Sequence, residues 1–153
     1  MSTYTIERAV DIDAPVEVVW RTITEPDQVL RWFSDAADIE PRPGASGTLT
    51  FRRGAEGDPS VVNLTVVDVD PPHRYSFRWN YPSDAIANPA NSLLVTFTLS
   101  PVGPERTSLR VEETGLDALD WPDEQKDAYA EEHRQGWQTL ADRLEKLLAP
   151  TRD

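Results

Sequence analysis

The chain has 153 residues, 39% of them hydrophobic, a formal net charge of −12 and no cysteine. That length and composition describe one folded domain, 1–153, with a single sizeable core, and they exclude a disordered chain, a disulfide framework and thiolate chemistry. The acidic balance argues against nucleic acid and anionic membrane surfaces as partners, because neither could release counterions to it.

Residues 1–13 hold no basic segment followed by an apolar run, and no stretch approaches the roughly 18 apolar residues of a membrane span. A cytoplasmic location is therefore expected. Thr3–Ile12 alternates, with Ile6, Arg8, Val10 and Ile12 on one face, as in a half-buried strand with one charge on its apolar side. Ala14-Pro15 starts a helix with Pro at its first position, and Val16, Val19, Trp20 and Ile23 form the buried stripe. Glu25-Pro26 breaks it, and Pro26 opens a second short helix towards Leu30, Trp32 and Phe33.

From Ala37 the period changes to two. Strands are predicted at Asp38–Glu40, Thr48–Arg53, Ser60–Asp70, Arg74–Tyr81, Ser92–Ser100 and Arg106–Thr114, with Gly- and Pro-rich turns or loops between them. Tyr75, Phe77, Trp79 and Tyr81 are expected on one face, as are Leu93, Val95, Phe97 and Leu99, then Leu109, Val111 and Glu113. Pro122–Leu148 reads as a helix of about 25 residues, roughly 37 Å long. Tyr129, His133, Gly136, Trp137, Leu140, Leu144, Leu147 and Leu148 make its apolar stripe, and Asp120 is the candidate cap. The order predicts an α+β fold: a curved antiparallel sheet of about seven strands wrapped around the long C-terminal helix, with two short helices after the first strand.

This pattern resembles the helix-grip fold of the START-like (SRPBCC) superfamily, and more narrowly its branch homologous to the activator of heat-shock-protein-90 ATPase. The residues carrying the resemblance are Ala14-Pro15 with Val19-Trp20, Thr24-Glu25-Pro26, Arg31-Trp32-Phe33, Val69-Asp70-Pro71-Pro72-His73-Arg74 leading to Trp79, and His133 with Gly136-Trp137 and Leu140. It implies a hydrophobic cavity between sheet and long helix that takes apolar small molecules. It also allows two other roles: a chaperone-associated factor linked to stress response, and a polyketide cyclase-like enzyme. The eukaryotic co-chaperones of this branch carry a further N-terminal domain, whereas this chain starts at the first strand, which argues against chaperone activation; ligand binding is the leading expectation.

His133 is the sharpest candidate, a polar group in mid-stripe flanked by Tyr129 and Trp137. It can orient a ligand or act as acid or base; the plain alternative is a core histidine bonded to a neighbour. Arg8 and Glu113 both fall on apolar strand faces, and in this fold the first and last strands are neighbours. A buried lone charge is costly, so the two are expected to pair, with a position in water at the sheet end as the alternative. Trp32, Phe33, Phe51, Trp79, Tyr81, Phe97 and Trp137 form an aromatic set; aromatics at strand and helix periods are usually core, and Trp32, Phe33, Trp79 and Tyr81 are the better candidates for ligand contact. The glycines at 44–47 and 54–57 lack the Lys and helix of a phosphate loop. The histidines, His73 and His133, stand far apart in sequence, so a histidine metal site is not expected; no cofactor is expected either. Glu131 and Glu132 read as solvated helix-face carboxylates. The predicted cavity measures a few hundred Å3 and is lined by Trp32, Phe33, Trp79, Phe97, Tyr129, His133 and Trp137. The partner is then an apolar small molecule and the protein a monomer or homodimer, more plausibly a binding module than an enzyme.

Overall fold

The computed structural model describes residues 5–51, 60–81 and 85–149. The elements run β1 (Ile6–Ile12), α1 (Val16–Thr24), α2 (Pro26–Val29), β2 (Ala36–Asp38), β3 (Ser46–Phe51), β4 (Ser60–Asp70), β5 (Arg74–Trp79), β6 (Leu93–Gly103), β7 (Arg106–Thr114), a 3-10 turn (Leu116–Ala118) and α3 (Asp123–Leu148). The strands form one seven-stranded antiparallel sheet in the order β1-β7-β6-β5-β4-β3-β2. Strands β2 to β7 meander, and β1 closes against β7. This is the helix-grip arrangement predicted above.

Period-two alternation builds the inner face. Tyr75, Phe77 and Trp79 lie beside Phe97, Val95 and Leu93, and the ladder continues from Leu99, Phe97 and Val95 to Leu109, Val111 and Glu113. These side chains are buried and join α1, α2 and α3 in one hydrophobic core. On α3 the fully covered positions are Ala130, Trp137, Ala141 and Leu144. The stripe is thus rotated slightly from the predicted one, and Tyr129, Leu140, Leu147 and Leu148 fall at its edges as half-buried side chains. Two of these four covered positions are alanines.

The α1–α2 corner follows from one missing proton. Pro26 cannot donate to the Thr22 carbonyl, as a continuing helix would require. The Trp32 indole donates to that carbonyl instead, at 2.9 Å, which draws Trp32 under the corner and into the core. Several predicted boundaries shift. Pro15 is the residue preceding the first turn of α1, where its carbonyl accepts from Val18 and Val19. The first short strand is Ala36–Asp38 rather than 38–40, and β6 runs on to Gly103 through an irregularity at Pro101. Asp120 does not cap α3; Pro122 precedes its first turn and Asp123 and Glu124 occupy it. The end of the strand predicted to reach 53 and the loop at 54–59 lie outside the described residues.

Two left-handed residues shape the end of the sheet near α3. Gly115, at φ 111°, turns the chain after β7 towards the 3-10 turn. Asn80, at φ 64°, ends β5, in a conformation that asparagine tolerates better than most side chains. The turn at Asn80 also corrects the expectation for Tyr81. Its hydroxyl meets Thr65 Oγ1 at 2.7 Å, and Thr65 alternates with the inward Leu64 and Val66, so Tyr81 leaves the aromatic face of β5.

Candidate functional site

The site is built around Glu113. Strand alternation puts this carboxylate on the inner face of β7, between Ile6 of β1 and Val95 of β6, where its exposure is 0%. A carboxylate there is tolerable only if its oxygens are well supplied with donors. Four side chains supply them. Oε2 accepts from the Trp79 indole at 2.8 Å and the Tyr129 hydroxyl at 2.5 Å. Oε1 accepts from His133 Nδ1 at 2.7 Å and the Trp137 indole at 2.9 Å. Burial alone would push the Glu113 carboxyl up, but the hydrogen bond and electrostatic attraction of His133, with the bonds from Tyr129 and Trp137, outweigh it and hold the group below the usual range. Burial, then the neighbouring Glu113 charge, drives the Tyr129 phenol far above its ordinary value, so it remains a hydroxyl.

Three of the donors come from α3 at positions 129, 133 and 137, one turn apart, which puts them on a single face. Tyr129 and His133 stack with ring centroids 3.7 Å apart and 17° between planes. Trp79 meets His133 edge-on and packs against Trp137. Phe33 closes the group against Phe51, Trp79 and Trp137. Asn80 Nδ2 donates to the Tyr129 hydroxyl at 2.7 Å.

Beside this cluster lies an open cleft of about 260 Å3. Its walls are Phe33, Phe51, Val62, Trp79, Trp137 and Leu140, with Ser60, Asn80, Glu132 and His133 as polar groups and Gly136 on the helix side. A Cβ built on Gly136 would meet nothing within 4 Å, so the glycine leaves room and is not required by close packing. The His133 side chain is 20% exposed, while its Nδ1 is committed to Glu113.

Of the residues expected to line the cavity, Phe33, Trp79, His133 and Trp137 do so, and Phe51 joins them. Tyr129 stands behind His133 with its hydroxyl turned to Glu113. Trp32 and Phe97 face a separate crevice of about 10 Å3 along with Arg8, Val10, Leu109, Val111, Trp137, Leu140, Ala141 and Leu144. Glu132 is exposed, as expected, but stands at the cleft edge.

The expected Arg8–Glu113 pair does not form. The two are diagonal neighbours across β1 and β7, yet Arg8 Nη1 donates to the Glu7 carbonyl at 2.9 Å and its buried Nε has no partner. Four short side-chain donors already occupy both oxygens of Glu113, which leaves nothing for the guanidinium to bond. Asn80 was missed by the sequence reading. Its signal was an asparagine directly after an aromatic strand, at the point where a left-handed turn carries the chain away.

Among the described residues no helix is long and apolar enough to cross a membrane, and no three His, Asp or Glu side chains cluster as metal ligands.

Residues 13–149 match the family described as Activator of Hsp90 ATPase homolog 1-like protein. The chain belongs to this family. No curated protein matches it. Among solved structures it is similar to protein MLL2253 from Mesorhizobium loti, at 27% identity and a TM-score of 0.73, over 94% of this chain and 96% of that one. It is also similar to DynU16, a protein in the dynemicin biosynthetic locus, at 25% identity and a TM-score of 0.74, over 96% of this chain but 48% of DynU16. The Aha1 dimer from Colwellia psychrerythraea shares the fold, with 15% identity, a TM-score of 0.70 and coverage of 94% and 95%. The family match spans the two short helices, the meander and α3, the same elements that hold the cleft and its carboxylate.

Proposed function

We propose that this family member binds a flat apolar small molecule in the cleft between β3–β5 and α3. The observation that carries the reading is the open space at Gly136, walled by aromatic rings on the sheet side and the helix side. A glycine inside a long helix sacrifices about 1 kcal/mol of helix propensity relative to alanine. With no close neighbour to accommodate, that sacrifice serves the space itself. The volume lies just under the usual range of roughly 300–1,000 Å3 for small-molecule sites, which suits a two-ring compound better than a larger one. The likeness to DynU16, a protein of a biosynthetic locus, supports a small-molecule occupant.

A chaperone-associated role would call for a continuous exposed apolar patch. The large apolar side chains exposed among the described residues are Leu30 after α2, Val61 and Val67 on β4, Ile86 in a loop and Val102 at the end of β6. Their spread over several elements favours the cleft. An enzymatic reading draws on one specific feature, a histidine oriented by a buried carboxylate, which is the arrangement of a general base.

The binding reading is tested with N-phenyl-1-naphthylamine, a neutral probe that accepts energy from tryptophan. Transfer from Trp79 and Trp137 is expected in the wild type and should vanish in Gly136→Leu, whose circular dichroism should be unchanged. Undiminished transfer in that variant would put the binding elsewhere.

A further inference from the structure

The wall of the cleft carries a hydrogen-bond network with a direction. An ionised carboxylate only accepts, so Glu113 dictates where the protons around it point. The single hydroxyl proton of Tyr129 goes to Glu113 Oε2. The Tyr129 oxygen can then only accept from its other neighbour. Asn80 therefore turns its amide nitrogen to it, at 2.7 Å, and Asn80 Oδ1 is left over. Along the second arm the neutral form of His133 keeps its one proton on Nδ1, given to Glu113 Oε1, and Nε2 is left over. No described residue donates to Asn80 Oδ1 or His133 Nε2, and neither atom is sealed from water. Both residues line the cleft. One buried carboxylate, acting outward along two arms, thus leaves acceptors at both ends.

We infer that the cleft selects flat apolar ligands that carry a hydroxyl, phenols above all, with His133 Nε2 accepting the hydroxyl proton and Asn80 Oδ1 offering a second acceptor. This rests on the binding reading above and adds the chemistry of the ligand. The aromatic walls take the ring, and the acceptors choose among rings of the same size. His133 is the residue that touches the ligand; Glu113 is a positioning residue that fixes which imidazole nitrogen is bare. A carboxylate or phosphate on the ligand is disfavoured, since it would bring more acceptors to acceptors within a protein of net charge −12.

The test compares three naphthalenes of similar size by titration in mildly alkaline buffer, where the imidazole is neutral: 2-naphthol, 2-methoxynaphthalene and 2-naphthoate. In the wild type 2-naphthol should bind about tenfold more tightly than the methoxy compound, the worth of one well-placed hydrogen bond, and 2-naphthoate should be weakest. Glu113→Gln, which can turn an amide N–H towards His133 and so release its tautomer, should erase the preference for 2-naphthol while 2-methoxynaphthalene still binds. Should that variant fail to fold, the imidazole nitrogen-15 spectrum of the wild type answers the same question, with Nδ1 protonated and Nε2 bare in mildly alkaline buffer. Equal affinity for naphthol and methoxynaphthalene overturns this inference and leaves cleft binding standing. Failure of all three to bind overturns both. Tightest binding by 2-naphthoate, or a protonated Nε2, shows that His133 presents a proton, and overturns the hydroxyl selectivity alone.

Discussion

The two ends of the space between sheet and α3 are built by opposite means. At the end near β1, Leu144, Ala141, Leu109, Val111 and Val10 interdigitate with Trp32 and Phe97 and leave a crevice of about 10 Å3, at or below the roughly 10–15 Å3 that one water needs. About two turns earlier on the same helix, near Gly136, about 260 Å3 stays open. At the first end the aliphatic side chains answer only to packing and fill the space around Trp32, whose own bond goes to Thr22. At the second end Trp79, Trp137, His133 and Tyr129 must each aim an N–H or O–H at Glu113. A ring held by its hydrogen bond cannot swing over to fill a neighbouring void. A polar anchor therefore keeps this end open, where hydrophobic packing alone would have closed it.

The anchor itself gives the largest expected effect. Glu113→Leu strands four donors in the core, and its stability should fall by about 3–5 kcal/mol, as when one partner of a buried charged network is removed. Chemical denaturation measures it. Acid provides a gentler version. Because the folded carboxyl lies below the 4.5 of an ordinary glutamate, its contribution is complete above that pH and is lost as pH falls through the lower, folded value. Wild-type urea midpoints should drop in that window, and Glu113→Gln should show a smaller drop.

The aliphatic end comes next. Leu144 is 1% exposed, and Leu144→Ala should cost about 2–5 kcal/mol. Leu140 is half-buried where the closed end meets the cleft, so Leu140→Ala should cost less than Leu144→Ala. Equal losses would mean the two ends are packed alike. Gly136→Ala adds a methyl to empty space and should raise stability by about 1 kcal/mol through helix propensity. A loss there would reveal a close contact. The smallest effect belongs to the outer face of α3. Gln138 is exposed, with one bond to Asp142 at 3.1 Å, and Gln138→Ala should change stability by under about 0.5 kcal/mol.

The architecture is legible in the sequence because it is written in local periods. Alternation over Arg106–Thr114 placed Leu109, Val111 and Glu113 on one face, and spacing on the last helix put Tyr129, His133 and Trp137 together. These periods follow from backbone geometry, which each segment carries by itself. The open end was legible too, through a glycine where a core helix would carry a larger residue.

The partner of Glu113 could not be read in the same way. Charge complementarity pointed to Arg8, which does sit one diagonal step across the β1–β7 ladder. Which donors reach a buried oxygen depends on angles set by the sheet's curvature and on the line along which α3 crosses it, quantities that belong to no single segment. The same geometry separated Trp32 and Phe97 from the cleft, and the left-handed turn at Asn80 removed Tyr81 from it. Periodicity in the chain determined which residues face inward; only the tertiary structure decided which of them meet, because directed hydrogen bonds depend on distances and angles between elements far apart in sequence.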